Sequence, residues 1–119
     1  MIRDLILAGI GGGLGSMLRL GMNIMIKPIH MFPIATFSVN CIGSFLIGIF
    51  AGLALRENQP GWHVFFATGI CGGFTTFSAF SLEGLQMIQQ QKTGIYLLYA
   101  FSSILLGLGF AWLGWKIVR

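Results

Sequence analysis

The chain has 119 residues and a formal net charge of +4; 55% of its residues are hydrophobic and only 8% are charged. An ordinary soluble domain carries about 25% charged residues, and a globule of this size cannot bury so much apolar surface. The composition therefore excludes a soluble domain and predicts an all-α membrane protein. A membrane helix takes roughly 20 residues, so four spans fill residues 1–119 as one domain.

Residues suited to acid–base or metal chemistry are few and scattered. The acidic residues are Asp4, Glu57 and Glu83, and the histidines are His30 and His63. This spacing offers no cluster for a transition metal and no acid–base pair. The basic residues form no run, which argues against a nucleic-acid partner. We therefore predict that the protein is not an enzyme.

Four apolar stretches follow one another along the chain. They cover approximately residues 5–26, 32–55, 62–87 and 95–115. The first stretch is of full span length and no A-x-A cleavage pattern follows it, so we predict a retained helix and no cleaved signal peptide.

Glycine is the most over-represented residue, with 18 in 119 positions, about twice the usual share. Many glycines lie four residues apart, on one helix face. These pairs are Gly9/Gly13, Gly11/Gly15, Gly48/Gly52 and Gly69/Gly73. Small residues at this spacing let membrane helices approach closely. Packing within one subunit is one interpretation; we favour an oligomer with a glycine-lined interface.

The third stretch is unusually polar and glycine-rich at its centre, where it reads TGICGGFTTFSAFSLE. Gly72 and Gly73 precede Phe74, Thr75 and Thr76, a run of weak helix formers that predicts an interruption of the helix. At membrane depth, non-helical backbone is tolerated where it lines a cavity or contacts protein or an ion. Carbonyls around Gly72 and Thr75 suit a hard cation, and freed N–H groups suit an anion. A kink satisfied by threonine hydroxyls is the alternative.

Beyond this run, Phe77 and Phe80 share a helix face with Thr76. An aromatic ring has a positive edge, so a dry row of rings can contact an anion without a formal charge. Ser78 and Ser81 alternate with these rings. So many polar side chains in one segment are not expected to face lipid. The alternative is that the rings face lipid or the protein core.

A polar stripe runs along the second stretch, where Thr36, Asn40 and Ser44 lie four residues apart. An asparagine at the centre of a bilayer is costly unless its amide finds partners. It either joins helices by hydrogen bonding or donates to a dehydrated anion. Ser102 and Ser103 on the fourth stretch extend the second interpretation.

Two charged residues lie inside the predicted spans. Arg19 is roughly 15 residues into the first span, where it either forms a positive vestibule that concentrates anions or snorkels to the interface. Glu83, about one turn after Phe80, opposes anion entry unless it is paired. The sequence does not show what neutralises it.

Three stretches together resemble a known family. GGGLGSMLR at 11–19, TFSVNCIGSFLIG at 36–48 and GICGGFTTFSAFSLE at 69–83 are similar to the signature stretches of the Fluc, or CrcB, fluoride channels. Members of that family are four-helix proteins that form antiparallel, dual-topology homodimers in the bacterial inner membrane and let fluoride leak out passively. The resemblance implies fluoride as the permeant ion and two pathways per dimer.

The resemblance also implies roles for individual residues. Asn40 matches the family's pathway asparagine, and Phe77 and Phe80 match its paired phenylalanines. Thr36 and Ser78 match positions of polar lining.

A sodium site is implied as well, with the backbone carbonyls of Gly72 and Thr75 from both subunits holding one structural Na⁺ that is not transported. The chain departs from the family at Ala79, where a threonine is common.

Two other functions fit a small four-span protein. A multidrug-type proton antiporter needs a titratable carboxylate deep in its first span, and residues 5–26 contain none. A non-transporting membrane assembly protein needs only glycine-rich faces, and it leaves the GGFTTFSAF run and the asparagine stripe unexplained.

Charge counting bears on orientation independently of the resemblance. With four spans, both termini and the second connector lie on one side of the membrane. That side carries Arg3, Arg56, Lys116 and Arg119, whereas the other carries Lys27 and Lys92, with Arg19 added if it snorkels outward. So small a bias predicts insertion in both orientations.

Overall fold

The computed structural model describes residues 1–29, 32–56 and 60–118. In chain order the helical elements are α1 (Ile2–Met25), α2 (Ile34–Arg56), α3 (Pro60–His63), a π-helix π1 (Val64–Cys71), α4 (Gly72–Phe74), α5 (Phe77–Gln89) and α6 (Thr93–Val118). His30, Glu57 and Arg119 lie outside the described residues.

Four helical stretches are long and apolar enough to cross a membrane: Ile2–Met25, Ile34–Leu53, Gly61–Gln89 and Thr93–Val118. We call the third of these, assembled from α3, π1, α4 and α5, the composite span. Large apolar side chains cover the outer faces, and Leu105 and Leu108 are 68% and 69% exposed. An outer surface of this kind suits contact with lipid. The predicted all-α membrane fold with four spans is confirmed.

The spans associate in two pairs through glycine backbones. α1 packs along the first part of the composite span, and α2 packs along α6. A Cβ added at Gly11 would lie 2.9 Å from the Cα of Gly69, and one at Gly15 would lie 2.7 Å from the backbone nitrogen of Phe74. Gly48 lies against the backbone of Ala111 in the same way. Small residues let these backbones touch, which is how membrane helices gain packing energy.

This arrangement corrects the interpretation of the glycine spacing. The pairs Gly11/Gly15, Gly48/Gly52 and Gly69/Gly73 all pack against other helices of the same chain. A glycine-lined interface between subunits is therefore wrong for these three pairs. A Cβ at Gly9 or Gly13 would have no described heavy atom within 4 Å.

Helical conformation stops inside the composite span. α4 ends at Phe74, and the next two residues are extended, with φ −83° and ψ 158° at Thr75 and φ −154° and ψ 127° at Thr76. α5 then begins at Phe77. We call Thr75 and Thr76 the interruption; it lies in the run that the sequence marks by its weak helix formers.

Candidate functional site

A cavity of about 400 Å³ lies between α2, the composite span and α6. Its lining includes Asn40 and Ser44 from α2, Thr76, Phe77 and Phe80 from the composite span, and Ser103 from α6. The structure thus brings together four of the predicted pathway residues: Asn40, Thr76, Phe77 and Phe80. The remaining two, Thr36 and Ser78, do not line the cavity.

Aromatic rings form a row that starts at the cavity lining with Phe77 and Phe80 and continues to Tyr99, which is not a lining residue. The ring centroids of Phe77 and Phe80 are 5.8 Å apart, and those of Phe80 and Tyr99 are 4.9 Å apart. Phe77 is 78% exposed, whereas Tyr99 is fully buried. The row therefore runs from the outside of the chain to its interior. Rings in such tilted arrangements turn edges, and not only faces, toward their surroundings.

The interruption is held on one side by local hydrogen bonds. Thr76 caps α5, because its Oγ1 accepts the N–H of Ala79 at 3.1 Å. The Thr75 hydroxyl donates to the carbonyl of Cys71 at 2.8 Å. Ser78 is exposed, and its Oγ lies 3.0 Å from the Thr76 Oγ1. Ala79 takes part through its backbone N–H, which any residue other than proline supplies, so its lack of a hydroxyl leaves the cap intact.

Asn40 holds the interruption from the other side. Its Oδ1 accepts the N–H of Thr76 at 3.1 Å, and its Nδ2 donates to the Thr76 carbonyl at 3.4 Å. The amide therefore pairs with both backbone groups of one extended residue. This contact explains how a polar amide is accommodated within a span, where an unpaired one is costly.

Two backbone carbonyls lose their helical partners at the interruption. In a continuous α-helix, Gly72 O would accept from Thr76 N–H and Thr75 O from Ala79 N–H. Both N–H groups donate to side-chain oxygens instead. Backbone carbonyl oxygens without helical donors are a type of ligand that suits a hard cation. Among the described residues, no three His, Cys, Asp or Glu side chains gather as a metal site.

Arg19 reaches the same region from α1. Its Nε donates to the carbonyl of Gly73 at 3.3 Å, in a partly buried contact. Gly73 lies in the last turn of α4, where carbonyls carry partial negative charge and favour a cationic side chain. The guanidinium is thus drawn toward the composite span, and its vestibule role stays a prediction.

Glu83 accepts two hydrogen bonds from neutral hydroxyl groups. The Thr36 hydroxyl donates to its Oε2 at 2.8 Å, and the Tyr99 hydroxyl donates to its Oε1 at 3.0 Å. Thr36 is only 1% exposed. A second, smaller cavity of about 280 Å³ adjoins Glu83 and is lined by Pro28, Pro33, Gln86 and Met87.

Comparison with known proteins identifies the family. The family described as CrcB-like protein, Camphor Resistance (CrcB), matches residues 6–115. The chain belongs to the CrcB family. It is 43% identical over 123 residues to a fluoride-specific ion channel FluC of Azobacteroides pseudotrichonymphae genomovar. CFP2, a match that covers 100% of this chain and 98% of the relative.

Two further CrcB-family relatives show similar agreement. A fluoride-specific ion channel FluC of Thermus thermophilus is 44% identical over 115 residues, which are 94% of this chain and 92% of the relative. One of Flavobacterium psychrophilum is 43% identical over 114 residues, 92% of each chain. The predicted family is confirmed, and the matches cover nearly the whole chain.

The sequence reasoning missed Tyr99, whose ring packs on Phe80 and whose hydroxyl donates to Glu83 in this CrcB-family chain. A signal for it existed, because Tyr99 and Ser103 lie four residues apart on α6 and share a helix face. Ser103 lines the cavity, so the hydroxyl of Tyr99, one turn earlier on the same helix face, is expected near the same region. The partners of Glu83 had no such signal, since they come from two other helices.

Proposed function

We propose that the chain is a fluoride-selective channel that lets F⁻ leave the cytoplasm passively across the bacterial inner membrane and so lowers fluoride toxicity. The observation that carries the proposal is the cavity, where the amide of Asn40 meets the rings of Phe77 and Phe80. The relatives named fluoride-specific ion channels support it, since each matches nearly the full length of this chain.

The lining is suited to an anion that has lost its water. Fluoride leaving water needs hydrogen-bond donors or other positive partners, and a fixed positive charge at close range would trap it. Asn40 and the hydroxyl of Thr76 provide neutral donors, and the edges of Phe77 and Phe80 add a weak positive potential. In this scheme Phe77 meets the ion first because it is the most exposed of the lining rings.

Glu83 lies farther along the aromatic row and would repel an anion if its oxygens were bare. The hydroxyls of Thr36 and Tyr99 occupy one oxygen each. These donors partly offset the carboxylate charge, which lowers the barrier that an approaching fluoride meets.

We further propose that the channel is an antiparallel, dual-topology homodimer. Phe77 is 78% exposed although it belongs to the pathway, so a second copy is needed to enclose it. A Cβ at Gly72 would have no described atom nearer than the carbonyl oxygen of Ala67 at 4.0 Å. Packing within the single chain therefore does not require a glycine at this position, whereas close approach of a partner would.

The backbone at the interruption supports the proposal of a structural Na⁺. We propose that the carbonyls of Gly72 and Thr75 from both subunits hold one sodium ion that is not transported. The ion would supply a fixed positive charge where the two interruptions meet. Support comes from the hydrogen bonds of Asn40 and Thr76, which take the helical donors away from these two carbonyls.

Fluoride efflux from liposomes tests the proposed function. Purified protein is reconstituted into vesicles loaded with fluoride and chloride, and each ion is followed with its own electrode. We expect fluoride release well above that of protein-free vesicles, with no chloride release. A proton-coupled drug antiporter or an assembly protein would release neither ion above background, and such a result refutes the channel.

Cysteine labelling in cells tests dual topology. A single cysteine in the connector at residues 56–60, with Cys41 and Cys71 replaced, is treated with a maleimide that does not cross membranes. Because the charge bias is small, we expect about half of the protein to be labelled in intact cells. Labelling after permeabilisation gives the total and serves as the control. Labelling of all or none of the protein in intact cells contradicts dual topology.

A further inference from the structure

At the interruption, the N–H groups of Thr76 and Ala79 donate to side-chain oxygens and not to helical carbonyls, and the two acceptors come from different parts of the chain. The Thr76 hydroxyl that accepts from Ala79 N–H is three residues away on the same segment. The Asn40 oxygen that accepts from Thr76 N–H comes from α2, 36 positions away in the chain. The first bond is an ordinary helix cap that forms with α5 itself. The second depends on the packing of two separate spans.

The geometry defines the orientation of the Asn40 amide. The N–H of Thr76 requires an acceptor and the Thr76 carbonyl requires a donor, so Oδ1 and Nδ2 cannot exchange places. The Oδ1 contact, at 3.1 Å, is within the usual range, whereas the Nδ2 contact, at 3.4 Å, is longer than a normal hydrogen bond. The oxygen therefore supplies most of the attachment, and the NH₂ group keeps donor capacity toward the cavity.

We propose that Asn40 is a positioning residue for the cation site, in addition to facing the anion pathway. Its amide oxygen holds the Thr76 N–H away from the Gly72 carbonyl and so keeps that carbonyl available to a cation. Its NH₂ group donates into the cavity. One side chain thus serves both sites through different atoms. The inference rests on the proposed function, specifically on its sodium site.

Loss of the amide oxygen has a defined structural consequence. Without that acceptor, the partly buried Thr76 N–H lacks a partner, and an unpaired backbone donor in a membrane is costly. The nearest remedy is the helical bond from Thr76 N–H to Gly72 O. That bond would extend α4 through the interruption and remove one ligand of the cation.

Two substitutions separate the acceptor from the donor. Asn40→Asp keeps an oxygen that can accept from Thr76 N–H but removes the NH₂ donor, whereas Asn40→Ala removes both. Ser44→Ala is the matched control, because Ser44 lies one turn later on α2 and lines the same cavity. Thermal unfolding of each protein in detergent is measured against Na⁺ concentration, with N-methyl-D-glucamine holding ionic strength constant. Binding to the folded state raises the unfolding temperature, which yields the half-saturating Na⁺ concentration.

We expect Asn40→Ala to raise the half-saturating Na⁺ concentration about tenfold, in line with the loss of a partly buried hydrogen bond. Asn40→Asp is expected to stay within about threefold of the parent or to bind more tightly, since the acceptor is retained. Ser44→Ala is expected to keep the parental half-saturating Na⁺ concentration. Fluoride efflux should fall in both Asn40 variants, because both lack the donor.

Three results would overturn the inference. One is parental Na⁺ dependence in Asn40→Ala, and another is a tenfold loss in Asn40→Asp. If Asn40→Ala does not yield folded protein, Asn40→Asp decides alone. The third is a parent protein that Na⁺ does not stabilise, which also removes the sodium site. Failure of the channel proposal is distinct, because it appears as absent fluoride efflux from the parent.

Discussion

Replacing Phe80 with isoleucine is expected to lower fluoride efflux about fivefold while leaving a folded protein, because the ring-edge interaction lost is worth about 1 kcal/mol of barrier. Isoleucine approximates the apolar bulk of phenylalanine but has no positive edge. The variant therefore separates the electrostatic contribution of the ring from its packing. The same reasoning applies to Phe77→Ile. Efflux is measured with a fluoride electrode at matched amounts of reconstituted protein.

Phe101→Ile provides the control for this substitution. Phe101 lies on α6, is 63% exposed, and is not part of the cavity lining. The same chemical change there should leave fluoride efflux at the parental rate. If Phe80→Ile and Phe77→Ile both conduct like the parent, the rings act only as packing and the ring-edge mechanism is wrong.

A single methyl group at Gly15 is expected to disrupt the packing of α1 against the composite span. A Cβ there would collide with the carbonyl oxygen of Ile70 and lie 2.7 Å from the backbone nitrogen of Phe74. Both obstacles are backbone atoms, so the helices must separate along the contact. We expect Gly15→Ala to destabilise the fold by about 2 kcal/mol or more, the upper part of the range for overpacked sites.

Gly13→Ala is the matched control, since a Cβ there would have no described heavy atom within 4 Å. Unfolding temperature and the monodisperse fraction in detergent are compared for the two variants. Gly13→Ala should resemble the parent protein. Equal behaviour of Gly15→Ala and Gly13→Ala would contradict the helix pairing described above.

Much of the fold could be predicted because membrane spans leave strong local signals. Span length and polarity placed all four spans within a few residues of the observed helices. The extended residues Thr75 and Thr76 fall where glycines and β-branched residues weaken the helix. Such features depend on neighbours in sequence, and one sequence is enough to locate them.

The partners of individual side chains could not be predicted in the same way. Periodicity indicates which residues share a helix face but not which faces meet. The contacts of Glu83 with Thr36 and Tyr99 could therefore not be predicted. The contact of Arg19 with the Gly73 carbonyl was missed for the same reason. Glycine spacing likewise predicts close approach of helices without saying whether the neighbour belongs to the same chain.

The central claim is selective conduction of fluoride, and the reversal potential tests it most directly. The purified protein is inserted into a planar bilayer with a tenfold fluoride gradient, chloride balancing the anion concentration and Na⁺ equal on both sides. If the channel is selective for fluoride, the current reverses at the equilibrium potential of fluoride, which is about 59 mV from zero for a tenfold gradient. Reversal near zero, or at the opposite sign set by chloride, would contradict the account.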